Sequence, residues 1–350
     1  MEQAEAGRDA GLSAMERDRM FSMRSDVLHL ILLPTEKCNF RCTYCYEDFS
    51  VGRMKPEIIQ GVKRMIDNRL SDLNRLKVSW FGGEPLLAIN AVEDISGHIM
   101  AASRTSSLDY TADMTTNGYL LDKAMLGRLT PVGVRRFQIS LDGPEQLHDR
   151  TRVRADGRGS FKRLWKNLLS IRDGEAPVSV LLRVHVTPDN LSAMPEFLRR
   201  LREVFLSDER FSVYLKPVAR LGGPNDATME TLDKRNRAQV LSHLNTIIYG
   251  AREGSPSSED HACYAARPNS LVIRANGRLG KCTVSLTDPA NDLGRLLPDG
   301  TLEVRNDRLH PWLRGWETGD MHALRCPADG FTLREPKLLQ IGSKPVGRDS

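Results

Sequence analysis

The 350-residue sequence predicts an α/β fold, an open partial (β/α)6 barrel of the TIM-like kind followed by a small C-terminal unit. Three observations carry this expectation. Six short runs rich in β-branched and aromatic residues alternate with stretches of helical period, which argues for parallel strands joined by crossover helices. A trio of cysteines stands directly behind the first run, at the carboxyl end of a strand, where barrels build their active sites. A turn-rich linker, residues 253–260, separates these units from a last segment that carries a second cysteine trio.

Residues 1–27 are polar, rich in Met, Arg and Glu and without a clear period, so they read as a mobile leader or a loosely docked helix. Strands are expected over 28–33, 77–81, 110–115, 136–141, 178–187 and 212–218, each ended by Gly, Pro, Asn or Asp. Helices are expected between them over 55–69, 91–103, 122–129, 161–172 and 191–205. The fourth is the most sharply patterned: Phe161, Leu164, Trp165, Leu168 and Leu169 share one face, with Ser160 placed to cap its start and Gly174 to end it. A longer helix is expected over 229–252. The chain then divides into a leader 1–27, a barrel 28–252, a C-terminal unit 256–335 and a tail 336–350.

Composition narrows the function classes. The sequence is 40% hydrophobic and 27% charged, that of an ordinary globular protein. A net charge of +5, with acids and bases interspersed, gives no sign of nucleic-acid binding. The longest apolar runs are far short of a bilayer span, and the N-terminus lacks the apolar core of a secretory signal, so no membrane association and a cytoplasmic location are expected. Six cysteines in two trios suit metal binding in a reducing compartment better than a disulfide framework.

Cys38, Cys42 and Cys45 form C-x3-C-x2-C. Three thiols on one short loop, with no fourth nearby, can hold three irons of a cubane cluster and leave the fourth iron open to an exchangeable ligand. A zinc knuckle wants four ligands, and no second pair lies close in sequence. Gly82 and Gly83 close the second strand, where a missing Cβ lets backbone approach a ligand, and Glu84 with Pro85 adds a carboxylate able to accept from an ammonium group. Thr116 and Asn117 close the third strand. Ser140 and Asp142 close the fourth and, two apart, point to one side of an extended chain. Arg152 offers a fork suited to a carboxylate, and Arg183 is a charge inside an otherwise apolar strand, costly unless it pairs with cofactor or substrate. His185 beside it reads as a satisfied core or cavity histidine.

The cysteine spacing, with an aromatic before the last Cys, resembles the signature of radical S-adenosylmethionine (SAM) enzymes over about residues 28–330. The resemblance implies a [4Fe–4S] cluster on Cys38, Cys42 and Cys45, whose open iron is chelated by the amine and carboxylate of SAM. It implies that the segment from Gly82 to Pro85 receives the methionine amine, that Arg152 meets the carboxylate, and that Ser140 faces the ribose and methionine region. By the same resemblance Asp142 faces the cavity and Tyr44 lies against the adenine. Splitting of SAM to a 5′-deoxyadenosyl radical follows, with an electron donor such as flavodoxin or ferredoxin.

Cys263 and Cys282 flank an expected hairpin, with strands over 270–274 and 279–283 and Asn276-Gly277 as its turn, and Cys326 could supply a third thiolate. This resembles the SPASM or twitch extension and implies one auxiliary [4Fe–4S] cluster on Cys263, Cys282 and Cys326. The full SPASM pattern has seven cysteines, of which three are here. His261, His310, His322 and Asp329 are candidates for a fourth ligand. The families nearest in kind are maturases of ribosomally made peptides, so the expected substrate is a precursor peptide, cross-linked oxidatively through a C–C, C–O or thioether bond. Leader capture would then use a separate recognition protein, the N-terminus or an exposed strand edge. A formylglycine-forming sulfatase maturase, a twitch-type small-alcohol dehydrogenase and a zinc-stabilised binding module are the alternatives.

Overall fold

The computed structural model describes residues 14–250 and 261–330. Its frame is six strands, β1 (Val27–Leu32), β2 (Arg75–Trp80), β3 (Asp109–Thr116), β4 (Val134–Leu141), β5 (Ser179–Val186) and β6 (Phe211–Pro217), paired in chain order and all parallel. Each lies within two residues of its expected bounds at either end. Side chains alternate across a strand, and here the alternation sorts chemistry. Leu30, Leu32, Val78, Trp80, Met114, Ile139, Leu182 and Val213 point one way into the main core. The other face carries His29, Ser79, Asp113, Gln138, Arg183 and Lys216, so the sheet has one dry face and one polar face.

The dry face is covered by crossover helices whose apolar stripes meet it. After α1 (Ala14–Ser22) come α2 (Pro56–Asp67), α3 (Ile89–Thr105), α4 (Lys123–Leu129), α5 (Glu145–Thr151), α6 (Phe161–Arg172) and α7 (Met194–Phe205). On α7, Phe197, Leu198, Leu201 and Phe205 recur at helical spacing and are all buried, each worth about 1.5–3 kcal/mol of transfer free energy. Ser160 precedes α6, but its hydroxyl donates to the Arg152 carbonyl; the Asp149 carboxylate instead accepts from the Ser160 and Phe161 amides at 2.8 and 2.9 Å. The last barrel helix, α8 (Arg237–Tyr249), begins eight residues later than expected. Asp233 accepts the Arg235 amide on its side chain, a local turn that competes with helix, while buried Leu232 pins the segment down.

Beyond the linker the chain adds to the same sheet. β7 (Ser270–Ile273) pairs parallel with the free side of β1, and β8 (Arg278–Gly280), β9 (Gly294–Leu296) and β10 (Leu302–Val304) follow antiparallel. The result is one ten-stranded open sheet with β10 and β6 at its edges. The expected boundary near 252–256 falls largely outside the described residues, and strands from both sides of it share this sheet. The hairpin turns at Gly277, whose φ of +80° favours glycine, and its return strand is shorter than expected because the Lys281 and Cys282 amides turn aside to Asn291 Oδ1. The helices α9 (Asn306–Thr318) and α10 (Met321–Arg325) complete the segment. The described part of the leader, α1, is docked on it: Asp18 accepts from the Ala262 amide at 2.8 Å and from Arg267 at 3.0 Å.

At the other edge, β6 is partly closed to strand addition. The Tyr249 hydroxyl on α8 donates to the Val213 carbonyl and accepts from the Val213 amide, satisfying both outward groups of that residue. Among the described residues no helix is long and apolar enough to cross a membrane.

Candidate iron–sulfur and cofactor site

The loop behind β1 is held from three sides. Glycines at 82 and 83 let the end of β2 close on it: a Cβ at Gly82 would strike the Thr35 carbonyl, one at Gly83 would stand 2.6 Å from the Lys37 carbonyl, and the Glu84 amide donates to that carbonyl at 3.0 Å. The close approach expected for a ligand here is first an approach of the chain to itself. From the end of β6, Gly223 lies directly against the Cys45 carbonyl and Asn225 donates to the Thr43 carbonyl at 2.8 Å. From the hairpin, Arg274 forks onto Glu36 at 2.6 and 3.0 Å, both residues buried.

Within this clamp the three thiols are half-buried and unbridged. Burial pushes all three upward, the Cys45 thiol to about 11, so they ionise readily only where a positive metal compensates. The Phe40 amide donates to Cys38 Sγ at 3.3 Å, a contact that favours a thiolate. Among the described residues no three His, Cys, Asp or Glu side chains converge tightly enough for a single metal ion. A cubane spreads its thiolates over separate corners.

Glu84 is fully buried and its carboxylate is already engaged, accepting from the Leu86 amide, Thr116 Oγ1 and the Asn117 amide at 2.8–3.0 Å. It therefore acts as a brace between the ends of β2 and β3, with Pro85 opening the turn that follows. Asn117 donates in turn to Asn39 Oδ1 at 2.7 Å, next to Cys38. The residues expected at the second and third strand ends thus converge on the cysteine loop.

The fourth and fifth strands bring a buried polar knot. The Tyr44 hydroxyl donates to Asp142 Oδ1 at 2.9 Å, accepts from Arg152 at 2.8 Å and lies 3.1 Å from His185 Nδ1, which is 3.1 Å from the same Asp142 oxygen. Thr151, and Asn190 from the turn after β5, complete it by donating to the Asp142 side chain and carbonyl. Burial alone would raise the Asp142 carboxyl, but the hydrogen bond to His185 and the charge of Arg152 hold it well below the usual range. Burial pushes His185 down despite that carboxylate, so the pair reads as Asp anion and neutral imidazole. Ser140 sits beside Arg183 in the β4–β5 register.

Among the described residues, three buried atoms around this loop have no partner: Arg152 Nε, Arg183 Nε and Glu47 Oε2. Buried donors and acceptors are almost always satisfied, so their clustering beside the cysteines fits a site for a polar ligand with groups of both signs. An amino acid moiety on an open iron has that character. Arg152 would meet its carboxylate.

The second trio lies around the hairpin and the short helix α10. Cys263 is pushed up by burial, with the Cys282 and Cys326 thiols close enough to add to it. The Cys263 amide donates to the Leu324 carbonyl, tying the hairpin side to α10, and Asn291 braces the Cys282 backbone at both its amide and its carbonyl. Lys281, wholly buried, is held by the Arg267 and Ser270 carbonyls and lowered to about 7 by burial. His322 pairs with Asp329 on the exposed side near Cys326, whereas His261 pairs with Asp18 and His310 with Glu317.

An open α/β barrel with a thiol trio behind its first strand, wrapped by the ends of its other strands, defines an iron–sulfur enzyme. Residues 32–201 match the Radical SAM superfamily and form a radical SAM domain. Its cofactors are accordingly a [4Fe–4S] cluster and SAM. The chain is 28% identical to the uncharacterized protein MJ0907 of Methanocaldococcus jannaschii over 73% of its own length and 84% of that protein's. It is 33% identical to the GTP 3′,8-cyclase of Microcystis aeruginosa, over 41% of this chain and 42% of the cyclase. In fold it is similar to anSMEcpe with bound AdoMet and the Cp18Cys peptide, at TM-score 0.61 and 18% identity, covering 85% of this chain and 82% of that one. It is similar also to Streptococcus suis SuiB bound to the precursor peptide SuiA, at TM-score 0.56 and 14% identity, covering 86% and 68%.

Proposed function

We propose that the protein is a radical SAM peptide maturase that removes hydrogen from a side chain of a ribosomally made precursor peptide and installs an oxidative cross-link, C–C, C–O or thioether. The observation that carries this reading is the open sheet. Its polar face extends from the cysteine loop to exposed Ser212 and Tyr214 on β6, an open side suited to an extended chain. Two of the proteins it resembles in fold were solved with peptides bound.

When bound to the cluster, SAM supplies a 5′-deoxyadenosyl radical able to take a hydrogen atom. The chain's own residues hold that chemistry in place. Arg152 orients the cofactor carboxylate, Glu84 fixes the loop that faces its amine, and the Tyr44–Asp142–His185 knot keeps the floor of the cavity rigid and dry. The Cys263, Cys282 and Cys326 trio would hold an auxiliary [4Fe–4S] cluster that accepts the electron left when product forms. A flavodoxin or ferredoxin supplies the first electron, and a separate leader-recognition protein presents the peptide. The relatives named GTP 3′,8-cyclase favour a second reading, cyclisation of a purine nucleotide.

The test is mass spectrometry of anaerobically reconstituted enzyme given SAM, reductant and either a candidate precursor peptide or GTP. Loss of two hydrogens from the peptide supports the maturase reading; a cyclised nucleotide with an untouched peptide replaces it. Cys42→Ala should abolish 5′-deoxyadenosine, whereas Cys282→Ala should retain it and lose the cross-link.

A further inference from the structure

The polar face of the sheet ends in positive charge that the protein leaves unanswered. Arg183 on β5 and Lys216 on β6 both point to this face, in strands whose register sets His185 opposite Lys216 and Tyr214 opposite Arg183, so the two cations are diagonal neighbours. Arg237, in the first turn of α8, stands close enough to add to the repulsion on Lys216, which burial and Arg183 already push down. Among the described residues, none of these three side chains has a carboxylate or any other hydrogen-bonding partner, and Arg183 Nε is fully buried without one. Asp142, at the end of β4, is committed to Tyr44, His185 and Thr151.

Such an arrangement is costly in a free protein, because a half-buried charge without a counterion loses hydration and gains nothing. It is retained where a ligand returns the cost. Arg152, which lies beside Tyr44 and Cys42, is placed to serve the cofactor carboxylate, whereas Arg183 and Lys216 stand on β5 and β6, toward the open edge, with Arg237 on α8 near Lys216. We infer that Arg183, Lys216 and Arg237 form a receptor for an anionic group of the substrate, which under the maturase reading is the carboxylate of an acidic residue flanking the modified side chain. The inference rests on that reading for the source of the anion, not for the site itself. Arg183 and Lys216 are diagonal neighbours and Arg237 lies near Lys216, and two guanidinium forks beside an ammonium suit bidentate capture of a carboxylate or phosphate oxygen pair.

The experiment titrates anaerobically reconstituted full-length enzyme, with SAM present, by calorimetry with three probes: a Gly-Glu repeat peptide, the matching Gly-Gln peptide and GTP. The Glu peptide is expected to bind at least about tenfold more tightly than its Gln counterpart, and Arg183→Met and Lys216→Met each to lose about tenfold. Without any probe, both variants should melt at a higher temperature than the wild type, since each removes an unpaired charge; a merely structural cation would lower it. Equal binding of the Glu and Gln peptides, no binding of any anionic probe, or variants that melt lower while losing binding would overturn the receptor. Tight binding of GTP that is lost in Arg183→Met, with none of the Glu peptide, would uphold the receptor and overturn the peptide as its source.

Discussion

His29 shows how the polar face carries charge, and at what cost in acid. Its ring is hydrogen-bonded to Ser79 at 2.9 Å and held down to about 3 by burial, with Lys77, Arg267 and Lys281 adding repulsion. The folded protein therefore keeps this histidine neutral where an unfolded chain, with an ordinary value of 6.5, would take up a proton. Its contribution is complete above pH 6.5 and is lost as the pH falls toward 3, at up to about 1.4 kcal/mol per pH unit. His29→Gln should flatten the acid limb, and urea unfolding of both proteins at pH 7.5 and 5.5 reads the difference; a slope unchanged by the substitution refutes the assignment. The first cysteine trio stands out in the sequence because its three thiols share one short loop, a local signal. His185, by contrast, reads in sequence as an inward residue on an apolar strand, and only the fold shows that Tyr44, ninety-eight residues before Asp142, binds both.

At the scale of elements, six strands and most helices could be read from period alone, since each buries a stripe whose spacing matches its geometry. What period could not supply is how elements grip the cysteine loop. Glu36 and Arg274 are unremarkable charges in sequence, 238 positions apart, yet they form a buried bidentate pair between that loop and the hairpin. Arg274→Met should strand the Glu36 carboxylate in the core and cost about 3–5 kcal/mol, measured by chemical denaturation. Iron bound per chain at the first site should fall with it, because the loop loses its hairpin-side support. Full iron loading in a destabilised variant would show that the pair serves stability alone. The late start of α8 was hidden for a similar reason: Asp233 spends its side chain on a turn, and an acid in that position is otherwise compatible with helix.

For the molecule as a whole, the decisive feature is that the C-terminal segment completes the barrel sheet through β7 instead of resting on it. Removing residues 261–330 would bare the inner edge of β1, a strand of Val, Leu and Ile, and unseat α1. A chain ending at residue 250 should be insoluble or lack the cooperative thermal transition of the full protein, scored by soluble yield and circular dichroism. A soluble, cooperatively folding truncation would show that the six-strand barrel stands alone. At the opposite edge, Tyr249 covers Val213 and discourages pairing with other chains.

The parallel pairing of β1 with β7 also sets an order of events during synthesis. The first strand to leave the ribosome waits for one of the last, since Leu30 finds its second neighbour only in Leu271. Until then the nascent chain carries a bare hydrophobic edge and three thiols without their final bracing. The Arg274 brace on the cysteine loop is thereby added only once the hairpin has been made, after every other element that holds that loop.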